Sequence, residues 1–302
     1  MGMEMNTNKK KLITHDGSFQ ADDIFAAASL SLFLEKRGED FEIIRTRNPK
    51  IIETGDYVFD VGGIYDSATN RFDHHQLSFQ EKRSNGILYS SFGLVWKKFG
   101  IELCNSDKAK EIIDNKLVAP IDANDNGFDL VENKYDISPY GIENFFYSMR
   151  PSWSENILEM NKNFEKCVSI AKIVLEREIV YAKDFIQAQK EVKEIYEKTS
   201  DKKIIILDKD YSHQPNYSDF SDLLFVIYPR ESDGFWTLRA VRKDENKFDN
   251  RKNLPSSWAT LRDEELQKVT GVENAVFCHR ALFMAIAKTK EGAIKLAQIA
   301  LN

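Results

Sequence analysis

Three short strand-forming runs in the first 75 positions each end on a carboxylate or an imidazole. Lys11-Leu12-Ile13-Thr14 leads into His15-Asp16-Gly17, Tyr57-Val58-Phe59 into Asp60-Val61-Gly62-Gly63, and Phe72 into Asp73-His74-His75. Apolar, β-branched and aromatic runs bounded by Gly or Asp read as buried strands. An ionised carboxylate at the end of such a strand is costly to bury unless it is paired or bound to a metal. Gly62 and Gly63 let the backbone turn tightly beside whatever Asp60 holds. Sites in open α/β sheets form outside the carboxyl ends of the strands, so these segments point to one edge and suggest a site for two divalent cations.

Each segment alone also has a plainer reading. An Asp after a strand is most often a turn residue or a helix cap, and adjacent histidines can sit in a polar loop. Their joint occurrence carries more, because three of the chain's five histidines fall in these segments. Carboxylates mixed with imidazoles suit Mn²⁺, Fe²⁺ or Zn²⁺ better than an all-oxygen cage would. A fourth segment, Ile121-Asp122-Ala123-Asn124-Asp125-Asn126-Gly127, closes an apolar run with two acids three residues apart. If 119–126 is helical, Asp122 and Asp125 share a face and Asn126-Gly127 ends the helix. Taken alone, the stretch reads as an ordinary exposed turn.

Up to about residue 127, strand-like runs alternate with helical stretches at 24–36 and 88–99, which predicts a mainly parallel sheet with helices on both faces. The segment 155–198 lacks Pro and Gly and places Phe164, Val168, Ala171, Leu175 and Phe185 near helical spacing, which predicts one or two helices joining two halves. Strands follow at 203–207, 223–228 and 236–241, with a hairpin turn at Ser232-Asp233-Gly234 and a final helix over 290–301. At 302 residues the chain exceeds a typical single domain. The expected organisation is a metal-binding domain over 1–150, a helical connection over 151–199 and a smaller α/β domain over 200–302.

Cys104, Cys167 and Cys278 are odd in number and widely spaced, so packing is expected of them and not a disulfide framework. No apolar stretch approaches the roughly 20 residues that cross a bilayer. The polar opening has no hydrophobic signal core, and Gly2 and Thr7 fit a myristoylation motif poorly, so a cytoplasmic location is the default. A net charge of −6 and a pI near 5.6 give no global attraction to phosphate. Locally, Arg239, Arg242, Lys243, Lys247, Arg251 and Lys252 accompany Trp236 and Trp258, a mixture suited to gripping a nucleic-acid backbone and stacking a base. The alternative is a solvated edge, with Asp244, Glu245 and Asp249 interleaved.

The order Thr14-His15-x-Gly17-x-Phe19, Asp60-Val61-Gly62-Gly63-x-Tyr65-Asp66, Arg71-Phe72-Asp73-His74-His75-Gln76 and Ile121-Asp122-Ala123-x-Asp125-Asn126-Gly127 resembles the melanocyte-proliferating-gene exonuclease family, a branch of the DHH phosphoesterases. The resemblance continues through Arg150-Pro151-Ser152-Trp153, Tyr228-Pro229, Leu254-Pro255, Phe277-Cys278-His279 and Lys288-Thr289-Lys290-Glu291-Gly292-Ala293. It implies a DHH-like α/β fold and a two-metal phosphoesterase, with Mn²⁺ or Mg²⁺, that removes nucleotides from RNA ends in the 3′ to 5′ direction. Carried over by position, His15 and Asp60 would hold one ion, with Gln20 at a ligand position. Asp22, Asp60, His74 and Asp122 would hold the second. His75 would face the substrate phosphate and Asp73 would orient an imidazole. His279, Arg280, Lys288, Thr289 and Arg239 would contact an RNA or oligonucleotide substrate in a cleft between the domains. No membrane partner is implied, and the oligomeric state is left open.

The chain departs from the family pattern at several positions. Gln20 stands where a histidine is expected, Met284-Ala285-Ile286-Ala287 where a Gly-Gly pair is expected, and Thr260 where a Gly is expected after Ala259. Two alternatives follow. A small-molecule phosphoesterase of the same fold would suit the acidic charge. A non-catalytic descendant that binds RNA or protein would suit Gln20 and the missing glycines, although retention of Asp22, Asp60, Asp73, His74, His75 and Asp122 opposes it.

Overall fold

A computed structural model describes residues 9–211, 215–245 and 247–302. Gly2 and Thr7 lie outside the described residues. The first strand, β1 (Lys10–Thr14), sits between two parallel neighbours, β2 (Phe41–Arg45) and β3 (Tyr57–Phe59). Two further short strands, β4 (Tyr65–Asp66) and β5 (Arg71–Phe72), complete the sheet in the order β2-β1-β3-β5-β4, with β5 parallel to β3 and β4 antiparallel to β5. The sheet is therefore mainly parallel, as the alternating pattern predicts.

One face is covered by α1 (Ala21–Lys36) and, after the four-residue α2 (Pro49–Ile52), by α3 (Ser91–Cys104). Aromatic rings join these layers: Phe25 stacks on Phe92 at 5.1 Å, Phe33 meets Phe99 at 4.5 Å, and Phe72 meets Phe99 edge-on at 5.9 Å. Burial extends around most of α1, including Ser29 and Ser31, which explains why it carries no strong apolar stripe. Ser31 satisfies its hydroxyl by donating to the Ala27 carbonyl at 2.7 Å. On the other face Ile13, Val58 and Val61 form a small cluster with Ile44 and Ile52, and α2 contributes Ile52.

The next helices are α4 (Asp107–Ile113), a π turn (Asp114–Val118), α5 (Ala119–Asp125) and α6 (Ile142–Ser148). The buried Phe146 ring meets Phe25 edge-on at 5.7 Å and anchors α6. Gly127, at φ +72°, follows the end of α5 in the left-handed region that glycine adopts freely. The long segment forms one unbroken helix, α7 (Met160–Lys198). The chain divides into two compact units, 1–183 and 184–302, with the division inside α7.

The second unit carries β6 (Ile204–Ile206), β7 (Phe225–Pro229), β8 (Trp236–Ala240), α8 (Asp263–Thr270), β9 (Ala275–Cys278), β10 (Met284–Ala287) and α9 (Lys290–Leu301). Its sheet order is β6-β7-β8-β10-β9, and only β6 and β7 are parallel. The β7–β8 hairpin turns through Gly234 at φ +73°. Ala285 and Ala287, two of the residues standing in place of the expected glycines, are fully buried in the same core cluster as Ala293, Leu296 and Ala297 of α9. Their side chains fill the core. All three cysteines are free and buried, and burial pushes each thiol up to about 11. No described helix is long and apolar enough to cross a membrane.

Candidate metal centre

The centre is built at the carboxyl ends of β1, β3 and β5 and the N-terminus of α1. The Gly17 amide donates to His15 Nδ1 at 3.1 Å, which turns the other ring nitrogen toward two acids. His15 Nε2 lies 3.1 Å from Asp60 Oδ2 and 3.3 Å from Asp23 Oδ2. The other oxygen of Asp23 accepts the Gln20 amide at 2.8 Å, fixing the first turn of α1. Acidic residues in that turn suit the positive end of the helix dipole.

Asp60 follows β3 with φ +55°, a left-handed conformation uncommon for a residue other than glycine. Such backbone strain persists where the surroundings over-determine it, and functional sites are its usual place. The two carboxylate oxygens of Asp60 face different partners. Oδ2 faces His15, whereas Oδ1 lies 3.3 Å from His74 Nε2, 3.6 Å from His75 Nδ1 and 3.3 Å from the Ser91 hydroxyl. His74 Nε2 lies a further 3.3 Å from Asp125 Oδ2. Ligand-type atoms thus gather in three overlapping groups, His15-Asp23-Asp60, Asp60-His74-His75 and Asp22-His74-Asp125, each within 4.8 Å.

The electrostatics identify what this geometry fits. Burial, followed by repulsion from Asp60, Asp125 and Asp23, pushes the Asp22 carboxyl well above the carboxylate range. Burial also pushes Asp23 up to about 7 and raises Asp125. Asp60 goes the other way: burial would raise it, but His15 and His74 hold it well below its ordinary value. Both oxygens of Asp22 are buried without a hydrogen-bond partner, and one oxygen each of Asp23 and Asp125 and the Nε2 atom of His74 are buried with only the ionic contacts above and no well-aligned hydrogen bond. Native proteins rarely leave such atoms unsatisfied. Converging acids, mixed with imidazoles, are a donor set that suits divalent transition cations.

At the rim, Asp73 accepts the Gly63 amide at 2.6 Å through Oδ2 and the His75 amide at 3.0 Å through Oδ1. Its Oδ1 also lies 2.8 Å from His75 Nδ1. Hydrogen bonding to Asp73, opposed by partial burial, raises the His75 imidazole above its ordinary value. The His75 side chain is 63% exposed against 7% for His74, so His75 is the solvent-accessible imidazole of the pair.

Asp122 is not brought to these groups. It is fully buried and accepts from Arg83 Nη2 at 2.6 Å, Arg83 Nε at 3.0 Å, Ser90 Oγ at 2.7 Å and the Ser90 and Gly93 amides at 3.1 Å each. Burial pushes Asp122 up to about 6, against the pull of Arg83 and Ser90. Any side chain at position 93 would collide with it, since a Cβ there would stand 2.2 Å from Oδ2. One turn later, Asp125 takes the place facing His74. Gln20 is exposed and outside the three groups, although it lines a cavity beside Asp22.

In the second unit, Thr289 caps α9, its hydroxyl accepting the Gly292 amide at 3.1 Å and an Asn274 amide at 2.6 Å. The His279 ring lies 4.5 Å from that of Phe283, and Arg280 and Lys288 are exposed. Arg239 lines a cavity of about 580 Å³ with Arg230, Arg242 and Tyr228. Two acids central to the first unit's geometry, Asp23 and Asp125, are not among the ligands expected from sequence. In the sequence Asp125 is marked as an acid three residues after Asp122, whereas Asp23 is marked by nothing beyond its place next to Asp22.

A family model named MYG1_exonuc, described as "Uncharacterised protein family (UPF0160)", matches residues 11–301. The chain is 31% identical over 321 residues to the MYG1 protein of Dictyostelium discoideum, covering 96% of each. It is 30% identical over 322 residues to the MYG1 exonuclease of Homo sapiens, covering 95% of this chain and 85% of that one. Among solved structures, RecJ of Thermus thermophilus in complex with Mn²⁺ aligns with 97% of this chain at 12% identity and a TM-score of 0.28. The chain spans about half of that structure, 52% of its length.

Proposed function

The chain belongs to the MYG1 exonuclease family, and from that membership we propose that its acid and imidazole centre hydrolyses phosphodiester bonds, releasing nucleotides from the 3′ end of RNA or short oligonucleotides. The observation that carries the reading is the division of Asp60, with Oδ2 on the His15 side and Oδ1 on the His74 side. One carboxylate shared between two sets of donors is what a pair of cations needs. Divalent ions held there, Mn²⁺ or Mg²⁺, would stabilise charge developing on the phosphate oxygens and activate a water molecule.

The chain's own residues divide the remaining work. His15, Asp23 and Asp60 would hold one ion, and Asp60, Asp22, His74 and Asp125 would hold the other. Asp122 serves this reading indirectly, by fixing Ser90 and Gly93 at the start of α3, next to the Ser91 that contacts Asp60. His75, held by Asp73 and raised toward its protonated form, meets the substrate phosphate and donates a proton to the leaving oxygen. Within the second unit, His279, Arg280, Lys288 and Arg239 would be the residues that contact substrate, and Thr289, next to Lys288 in sequence, caps α9. The net charge of −6 does not oppose this, because bound cations dominate the local field of an acidic site.

The test is release of mononucleotides from 3′- and 5′-labelled single-stranded RNA with Mn²⁺ and then with chelator, beside His74→Ala. Metal-dependent shortening from the 3′ end, lost in the variant, is the expected result. No release with any divalent ion would overturn the reading. Turnover that rises as the substrate is shortened to a single phosphate ester would replace it with a small-ester hydrolase.

A further inference from the structure

Arg150 follows α6, whose position is fixed by Phe146 against Phe25. Its guanidinium lies 4.6 Å from the Tyr147 ring and 5.8 Å from the Phe19 ring. Its Nε is buried without a hydrogen-bond partner, and no described residue accepts a hydrogen bond from the guanidinium. Arginine carries five N–H donors in a planar fork, so a half-buried guanidinium stacked on aromatic rings, with Asp23 acting on it only at a distance, keeps its donors free for an anion. Arg45, whose charge like that of Arg150 acts on Asp23, differs. Its Nε is also without a partner, but its other two nitrogens are taken by the Gly17 carbonyl and by Asn161 Oδ1, so it is committed to the fold.

Arg150 lines a cavity of about 210 Å³ whose walls include Asp22 and Asp125 of the candidate metal centre. Pockets that enclose whole drug-sized molecules run from roughly 300 to 1,000 Å³. A cavity below that range suits a phosphate group with part of its sugar. The amide side chains of Gln20 and Asn124 also line it and can donate to phosphate oxygens. We propose that this cavity is a phosphate subsite, in which Arg150 grips the phosphate of the terminal nucleotide beside the metal centre. This rests on the metal-dependent reading above, because Asp22 and Asp125 repel an anion until cations offset their charge. Phosphate and cation therefore bind with positive coupling, each raising the affinity for the other by the same factor. Glu143 is the one further acid on the cavity wall, and its charge subtracts from the pull of Arg150.

The experiment is calorimetric binding of a 5′-nucleoside monophosphate to the full chain, with and without Mn²⁺, for wild type, Arg150→Gln, Arg150→Lys and Glu143→Gln. The wild type is expected to bind only with Mn²⁺. Charge-assisted hydrogen bonds of this kind correspond to about 10- to 100-fold in affinity, which is the loss expected for Arg150→Gln. Arg150→Lys keeps the cation but not the fork and should recover part of that loss. Glu143→Gln should tighten binding. Mn²⁺ affinity measured without nucleotide should not fall in either Arg150 variant. Nucleotide binding unchanged in Arg150→Gln, or absent in the wild type with Mn²⁺, overturns the subsite. Loss of Mn²⁺ affinity in both Arg150 variants also overturns it, by making the guanidinium part of the frame that holds the metal centre. Arg150-dependent nucleotide binding by a wild type that hydrolyses no RNA would sink the nuclease reading and leave the subsite standing.

Discussion

His75 Nδ1 lies 2.8 Å from Asp73 Oδ1, while the other oxygen of Asp73 accepts the Gly63 amide at 2.6 Å. The carboxylate thus ties the exposed imidazole to the loop after β3. Because the hydrogen bond to Asp73 is the leading cause of the raised His75 value, Asp73→Asn should let that value fall toward the unperturbed imidazole. If protonated His75 is the working form, activity falls as pH rises through its value, and in the variant the fall begins at lower pH. Turnover should drop about 10- to 100-fold, as for other residues that orient a site from behind. A pH–rate profile with imidazole NMR checks this; an unmoved His75 titration would refute the coupling.

Asp122 and Asp125 should give opposite phenotypes despite sharing a helix. Asp122→Asn weakens a buried pair with Arg83, so a loss of about 3 kcal/mol in unfolding free energy is expected, with the number of bound cations unchanged. Asp125→Asn removes a repelling acid from beside Asp22 and should leave the metal-free fold as stable or more so, while metal affinity falls. Denaturant melts and metal titrations on both variants decide the matter. Asp122→Asn that folds normally but loses a cation would reverse the two roles.

Metal affinity should rise steeply with pH below neutrality. Asp23 is pushed up to about 7 and Asp22 well above its ordinary value, so in the metal-free protein cations compete with protons for these oxygens. The same shifts set the sign for stability. The folded state holds these two protons more tightly than the unfolded chain, so the contribution of Asp22 and Asp23 to stability is fully present below the unfolded carboxyl range and is lost as pH rises from about 4 through 7, opposite in sign to that of the depressed Asp60. Calorimetry in buffers of different ionisation enthalpy should show proton release on Mn²⁺ binding. An affinity that is flat from about pH 5.5 to 7.5 would contradict it.

Much of this was legible in the sequence because buried strands announce their own ends. Leu12-Ile13 and Tyr57-Val58-Phe59 are strand-like and fully or nearly buried, so the residues after them, His15 and Asp60, could be placed at one sheet edge. Helical periodicity says less. It puts Asp122 and Asp125 on one face but cannot say that Arg83, 39 residues before Asp122, occupies one of them. Adjacent helical residues ordinarily point apart, so nothing in the pattern marks Asp23 beside Asp22. At the first turn of α1 both directions lead into the centre, Asp22 toward His74 and Asp125, Asp23 toward His15 and Asp60. The departure at Met284-Ala285-Ile286-Ala287 is likewise explained by the period of a strand, which turns Ala285 and Ala287 into the core under α9.

Gln20→His tests whether the most conspicuous departure in the first unit has left a gap in coordination. Position 20 begins α1, and its amide already binds Asp23 Oδ1 at 2.8 Å, so the backbone there is fixed by the centre itself. The side chain is exposed, and substitution at such a site typically shifts stability by no more than about 0.5 kcal/mol. An imidazole at this position lines the cavity beside Asp22 and adds a neutral nitrogen to a donor set rich in oxygen. Nitrogen donors favour Mn²⁺ and Zn²⁺ over Mg²⁺, so Mn²⁺ affinity should rise about tenfold while Mg²⁺ affinity moves little. Unchanged affinity for both ions would place Gln20 outside the coordination sphere and leave it only its part in the phosphate cavity.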